Sequence, residues 1–513
     1  MEQKPKKIKP MVRLSQSQID SKKEFIRQYI EAENASSGST VDSNANVSVK
    51  TVATLGAELN KDIAIQVNRS VMCDYIEKYF DRETAEEYVR LLEEHTIYKH
   101  DETSVAPMMP YCTSINMYPF LESGMTKLGG ESTAPKHLES FCGSFINLIF
   151  AISSQFAGAV ASVEFPYYFH YFATKDYGKD YLKTNPDMVR AKLQHVVYSI
   201  NQPAASRGYQ STFWNISVFD KYFFESMFGN FYFPDGTHLD YEGFNEFQKF
   251  FMEFLLEERK KTLLTFPVLT EASLDEDGFP KDEEWADFCA DIRSRGLSFF
   301  SYNSESVDAL ASCCRLRNAV ENTDFSYSLG AGGIETGSHS VITLDLVALF
   351  SRGYNLEEII KKVHKFQYAH RMMVQDGIDA GLLPAYSAGF IHLDKQFSTL
   401  GINGLNEAAE EQGLTVGNNK EYKEWVANVL GTFKRLNMEA RSLYNGAKYN
   451  TELVPAENLG VKNAKWDKKA GLYHGERECY NSYMYLSESD ITSIPDKFEL
   501  HGSPIADNLD GGK

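Results

Sequence analysis

The sequence predicts an α/β protein, and within that class a barrel in preference to an open sheet. Strand-like and helical segments alternate from Val49 onward, the pattern of a parallel sheet with helical crossovers. The 513-residue length would allow about three ordinary domains, yet no linker interrupts the alternation after residue 48, and barrels with insertions reach this size. No internal repeat recurs at a fixed period. With 43% hydrophobic and 13% aromatic residues, the chain is too apolar for disorder and can bury a large core.

Residues 1–48 run from a basic start through a modestly amphipathic stretch, Phe25 to Ile30, into Ser/Asn/Gly-rich sequence, and read as an extension and linker; residues 49–513 are expected to form the barrel. Asp81 is a helix N-cap, with Tyr88, Leu91 and Leu92 on one face of the helix that follows. Phe145 to Phe165 is the most apolar stretch, but it carries Asn147, Ser153, Ser154, Gln155 and Glu164, so it reads as a buried helix and not a membrane span. The polar segment Asn201 to Phe213 is a loop, either at a site or at the surface. A helix from Tyr241 to about Lys261 leads into a buried strand at Leu263 to Thr270, and Phe299 to Tyr302 is another strand. Ser340 to Val347 passes from strand to helix. Asn355 with Glu358 starts a helix to about Gln375, stopped at Gly377, whose His364 and His370 lack metal-pair spacing and read as solvated or core-edge histidines. A last long helix spans about Glu421 to Leu443.

A net charge of −19 argues against a broad nucleic-acid surface, while leaving room for local basic pockets. Seven cysteines without any Cys-x-x-Cys give neither a disulfide scaffold nor a structural zinc site, and no metal site is expected in these residues. There is no secretory signal and no membrane partner is expected, so a reducing cytoplasm, or a host cytoplasm for a phage-encoded chain, is the natural setting.

The most chemically suggestive stretch is Ala311-Ser-Cys-Cys-Arg-Leu-Arg-Asn318. A lone thiol is usually a small core residue, but Cys313 and Cys314 are adjacent and flanked by Arg315 and Arg317, a polar setting that suits an accessible, reactive sulfur. The glycines at 330, 332, 333 and 337 either let backbone N–H groups approach a phosphate or substrate, or belong to an ordinary loop. Cys112 emerges from a proline-containing segment and reads as a buried strand cysteine.

Together these residues resemble the anaerobic, class III ribonucleoside-triphosphate reductases of the glycyl radical enzyme group. The likeness covers most of residues 45–513. It rests on His100-Asp101 leading to Tyr111-Cys112, Pro135 to Ser140, Asn201 to Phe213, Thr265 to Val268, Ser312 to Leu316, Gly330 to Leu346, Leu453 to Glu457 and Asn481 to Tyr483, in the family's order. The resemblance implies a ten-stranded α/β barrel in which a glycyl radical oxidises a cysteine to a thiyl that removes the ribose 3′-hydrogen, with a second cysteine donating hydrogen from the opposite face. Cys314, or alternatively Cys313, takes the thiyl position and Cys112 the reductant position. Glu335 stands where formate-consuming relatives carry asparagine, which points to a redoxin reductant and to acid–base help from the carboxylate, although an exposed loop carboxylate is the plainer alternative. Cys479 is a candidate extra thiol for disulfide formation. Ser206, Arg207, Asn318, Gly332, Gly333 and Gly337 are candidate substrate-binding residues.

The family pattern continues with a four-cysteine zinc site and an Arg-Val-x-Gly-Tyr type radical loop, neither of which occurs in these 513 residues. The expectation is therefore a split or truncated enzyme whose glycyl radical and zinc belong to a partner or missing C-terminal fragment. The resemblance further implies ribonucleoside triphosphates as substrates, nucleoside triphosphates as allosteric effectors, a radical S-adenosylmethionine activase, a redoxin or formate as reductant, and a homodimer. The short extension cannot hold the family's ATP-binding cone. A formate acetyltransferase-like glycyl radical enzyme and a non-catalytic nucleotide-binding subunit are the competing readings.

Overall fold

The sheet is assembled around the strand β10, Gly337–Asp345, which is buried along its whole length. A computed structural model describes residues 14–31, 50–204, 210–305, 335–453, 459–481, 492–502, 505 and 508–509. The strands before β10 are β1 (Ile97–Lys99), β2 (Cys112–Ser114), β3 (Val160–Ala161), β4 (Pro203–Ala204), β5 (Gln210–Ser211), β6 (Trp214–Phe219), β7 (Val268–Glu276), β8 (Phe279–Pro280) and β9 (Phe300–Ser304). After it come β11 (Gln396–Asn403) and β12 (Lys448–Glu452). Ten of these form one sheet; β4 and β5 pair separately as a small hairpin within the segment read as a loop.

The alternation predicts a parallel sheet, and the structure modifies that. β10, β11 and β12 are parallel to one another, and β2, β3, β6, β7 and β9 are parallel to one another. The two blocks meet antiparallel where Gly337 and Ser338 pair with Thr113 and Cys112. β1 pairs antiparallel with the far part of β10, so β1 and β2 are two pieces of one interrupted neighbour, with residues 100–111 looped out between them. β8 only folds back on β7. The ten strands match the expected number; among the described residues the path stays open between β12 and β9.

Each block has its own helical cover and its own apolar core. The first is built from the helices Leu138–Ser153, Phe165–Tyr177, Pro186–Ile200 and Tyr241–Lys261 against β3, β6 and β7, the second from Val52–Tyr79, Arg82–Glu93, Leu356–Asp379 and Lys420–Leu443 against β10 to β12. The capping signals hold: Asp81 accepts from the Thr84 amide at 2.7 Å, and Asn355 from the Glu358 amide at 3.1 Å. The helix begun at Asn355 runs through Gly377 to Asp379, because one glycine weakens a helix without ending it. The apolar stretch Phe145–Phe165 is not one helix: the helix ends at Ser153, β3 follows, and a new helix starts at Phe165 with Pro166 in its first turn. The strand expected at Leu263 begins only at Val268, after a cis peptide at Phe266–Pro267. In the N-terminal extension, Gln16–Glu31 is a helix joined to Val52–Tyr79 by the Tyr29 and Thr54 hydroxyls at 2.8 Å.

The sheet face turned away from the helices is buried yet polar. On β6, Trp214, Ile216 and Val218 enter the apolar core, while Asn215 and Ser217 alternate with them and are also buried. Across the other block, the Thr399 hydroxyl lies 2.8 Å from both Ser338 Oγ and Asn450 Oδ1, and Asn450 Nδ2 donates to Glu452 Oε1 at 2.9 Å. A buried polar face on a sheet with helices behind it is costly as a core and suited to a polar guest.

Candidate active site

The two blocks join at Cys112, and the polar face is richest there. Cys112 is fully buried against Ala159, Tyr111, Phe213 and Phe397, and its carbonyl accepts from Gln396 Nε2 at 3.1 Å. Tyr386 in turn hydrogen-bonds Gln396 Oε1. Gly337 lies opposite this strand, and a Cβ there would sit 2.4 Å from the Cys112 carbonyl oxygen. Its requirement for glycine is thus explained by close strand packing, where the sequence suggests a phosphate or substrate contact.

Glu335 is two residues before β10 and buried, which removes the exposed-loop alternative. Asn116 Nδ2 donates to its Oε1 at 3.0 Å, Lys395 Nζ lies 3.2 Å from Oε2, and His392 Nδ1 bonds the same oxygen. Burial pushes the Glu335 pKa up, but the His392 bond, the Lys395 charge and the Asn116 bond outweigh it, and the carboxyl is held below its ordinary range. The neighbouring residue Met117 donates its amide to Glu164 Oε2 at 2.6 Å, and Tyr168 donates to Glu164 Oε1 at 3.1 Å. Burial pushes Glu164 up to about 8, so the segment Asn116–Met117 separates one ionised carboxylate from one carboxyl that stays protonated at neutral pH. Paired carboxyls with opposed shifts are a frequent mark of acid–base sites. Nearby, the Ser114, Thr336 and Ser340 hydroxyls are buried without a hydrogen-bond partner among the described residues, and Ser114 N is held to Thr336 O at 2.7 Å.

His370, expected at a core edge or in solvent, is buried: its Nδ1 faces His339 Nδ1 at 3.2 Å, and His339 Nε2 lies 2.8 Å from Ser398 Oγ. Burial pushes both histidines well down, so the pair is neutral. His364 is likewise buried, bonded to Asn437 Oδ1 at 2.9 Å. Both face the sheet from a long helix because that helix is the inner cover of β10 and β11. Among the described residues no group of three or more His, Cys, Asp or Glu could hold a metal ion.

Of the residues singled out by sequence, Cys112, Glu335 and Gly337 are brought to one end of β10. Cys313, Cys314, Asn318, Gly332 and Gly333, with Ser206 and Arg207, lie outside the described residues. Cys479 is not brought to Cys112. It is exposed, on the segment that crosses the far end of β11, where the Gly404 amide donates to Asn481 O. Cys112 is level with Phe397 at the near end, so roughly 20 Å of strand separates the two thiols. A disulfide needs Cα atoms within about 7 Å. Asn116, Glu164, His392 and Lys395 were not singled out as site residues by sequence; the polar turn His392-Leu-Asp-Lys395 directly before β11 is a signal for His392 and Lys395, and no local signal marks Asn116 or Glu164.

A ten-stranded sheet of two opposed parallel blocks, with a buried cysteine and an ionised carboxylate at their junction, defines an α/β enzyme of the ribonucleotide reductase type. The chain matches the family model for anaerobic ribonucleoside-triphosphate reductase over residues 58–513 and belongs to that family. It is therefore an oxidoreductase. Its structure is similar to that of the Thermotoga maritima anaerobic ribonucleotide reductase with citrate in the active site, at 27% identity and a TM-score of 0.79, covering 96% of this chain and 88% of that one. A second solved anaerobic ribonucleotide reductase gives 28% identity and a TM-score of 0.82, covering 96% and 78%. The T. maritima enzyme in complex with dATP and CTP gives 26% and 0.78, covering 98% and 86%. A comparison with curated proteins returns no match. No helix among the described residues is long and apolar enough to cross a membrane.

Proposed function

We propose that this reductase acts on ribonucleoside triphosphates by thiyl-radical chemistry in the polar space between the two strand blocks. The observation that carries this reading is the junction itself, where Cys112 and the ionised Glu335 share one end of β10. The thiyl forms on Cys314, with Cys313 as the alternative, in the segment that leads into Glu335, the radical arriving from a glycyl segment outside these 513 residues. It removes the 3′-hydrogen; the 2′-hydroxyl leaves as water; Cys112 supplies a hydrogen atom to the 2′-carbon, and the sulfur radical left on it joins a thiolate of the reductant, releasing the second electron to the 3′-carbonyl and leaving a disulfide; the Cys314 thiol then returns the 3′-hydrogen and is again the thiyl. Glu335 takes and returns the proton that the 3′-hydroxyl and the leaving water exchange. Glutamate at this position favours a thiol reductant such as a redoxin over formate, with Cys479 as a surface thiol for that exchange. The family supports a radical S-adenosylmethionine activase, and the dATP and CTP bound to the T. maritima relative support nucleotide effectors and substrates here. A homodimer in the cytoplasm and a single catalytic unit over residues 49–513 complete the reading.

The test is anaerobic reconstitution with the activase and a radical-bearing segment, followed by electron paramagnetic resonance and a deoxynucleotide assay. A glycyl doublet, and turnover of nucleoside triphosphates that vanishes in Cys112→Ala and Cys314→Ala, is expected. Turnover that survives Cys112→Ala would exclude that thiol as the hydrogen donor.

A further inference from the structure

We infer that His392 is a positioning residue that carries protons between solvent and Glu335. This rests on the reading above, in which Glu335 exchanges a proton during turnover. The Glu335 side chain is only 4% exposed, whereas that of His392 is 55% exposed, so the imidazole spans from the buried carboxylate to water. Glu335 has three side-chain partners among the described residues, Asn116, His392 and Lys395. An amide does not ionise, and an ammonium exchanges protons far from neutral pH; the imidazole is the partner whose charge ordinarily changes near pH 7.

The turn that presents His392 is fixed from behind. Leu393–Lys395 is a single 3-10 turn, and its Leu393 carbonyl accepts from Arg371 Nη1 at 2.7 Å, which ties it to the helix Leu356–Asp379. Two charged groups on the same turn face the imidazole besides Glu335: Asp394 and Lys395. Glu335 faces His392, Lys395 and Asn116, with the protonated Glu164 behind the last. The Glu335 bond is the largest influence on His392 and pushes its pKa up against burial, so the ring remains able to take a proton above the ordinary range for histidine.

The step balances with water alone. A hydronium or buffer acid gives a proton to His392 Nε2, the Nδ1–H bond breaks, and Glu335 Oε2–H forms, leaving a neutral ring, a neutral acid and water or buffer base. A turn of the exposed ring, or the reverse transfer, restores the starting tautomer. Nothing is oxidised or reduced. As its disulfide forms, the thiol reductant releases a proton to solvent, and the 3′-carbonyl takes one up through Glu335 as it is reduced; this path returns the proton to Glu335 without opening the buried junction to solvent.

Two measurements separate the relay from the reaction it serves. First, the chain is labelled at the imidazole Cε1, its twelve histidines are followed by NMR against pH, and His392 is assigned by His392→Gln. His392 titrates above the ordinary histidine value in the native chain and falls to it in Glu335→Gln. An unchanged titration overturns the pairing, whatever the turnover assay shows. Second, in the reconstituted holoenzyme at low buffer, His392→Ala lowers kcat about tenfold or more with KM little changed, and added imidazole restores it in proportion to its concentration. Loss of kcat without imidazole rescue, or native kcat across the pH range, overturns the relay. A native enzyme with no turnover refutes the radical reduction reading, and with it the relay's role, even where the NMR pairing holds.

Discussion

The two opposed carboxyls make a quantitative prediction about stability. Glu164 is fully buried, and burial pushes its pKa from 4.5 up to about 8 against the pull of the Met117 amide and the Tyr168 hydroxyl, with the Glu335 charge adding to the rise. A pKa raised by folding means that the native chain binds more protons than the unfolded one between the two values. The stabilising contribution is therefore complete below pH 4.5 and is lost as pH rises toward 8. At about 1.36 kcal/mol per unit, the loss amounts to roughly 4 kcal/mol by pH 7.5. Glu164→Gln keeps the shape and one acceptor for the Met117 amide but does not titrate. It should match the native chain near pH 5 and exceed it by about 3 kcal/mol at pH 7.5. Urea unfolding followed by tryptophan fluorescence at both pH values, under anaerobic conditions, reads the difference between variants at each pH. Because the two cores can unfold separately, the comparison across pH is the decisive quantity and not either midpoint alone. An equal effect of the substitution at both pH values, or destabilisation at pH 7.5, would show that Glu164 is ionised in the native chain and refute the reasoning.

Two further outcomes follow from the same junction. Gly337→Ala would place a methyl 2.4 Å from the Cys112 carbonyl, so it should destabilise by about 1–3 kcal/mol and displace the Cys112 strand, seen as a lower urea midpoint; a neutral effect would mean that the two blocks are not packed this closely. Among the described cysteines, alkylation of the native chain, mapped by mass spectrometry, should reach exposed Cys479 first and leave buried Cys112, Cys142 and Cys289 until unfolding. Burial and the nearby Glu407 push the Cys479 thiol above its ordinary value, so its labelling should keep accelerating past pH 9; a Cys112 labelled as fast as Cys479 would contradict the burial of the junction.

Much of the fold is legible in the sequence where the signal is local. Asp81 and Asn355 announce their helices because a cap is a contact over three residues, and β9 to β10 and the helix after Asn419 read correctly from hydrophobic periodicity. The errors fall where local chemistry is ambiguous. The apolar run Phe145–Phe165 has no strong break, so helix, strand and helix look like one element. His364 and His370 look polar enough for the surface, but each finds a partner 73 or 31 residues away, which satisfies its ring in the core.

The site divides in the same way. Cys112 and Glu335 are visible as residue types in a recognisable order, whereas the partners that set the behaviour of Glu335 are not. His392 is 57 residues from Glu335 and Asn116 is 219 residues from it. Both contacts follow from strand register. Glu335 precedes β10 and His392 precedes β11, and because those strands are parallel neighbours with Gly337 opposite Gln396, the residues just before each strand converge. Asn116 follows β2, and because β2 runs antiparallel to β10, the residue just after it meets the residue just before β10. The opposed directions of the two blocks are thus what assembles the carboxylate site: in a sheet parallel throughout, the chain would leave β2 pointing along β10 and away from Glu335, and Glu335 would lose the Asn116 contact that separates it from Glu164.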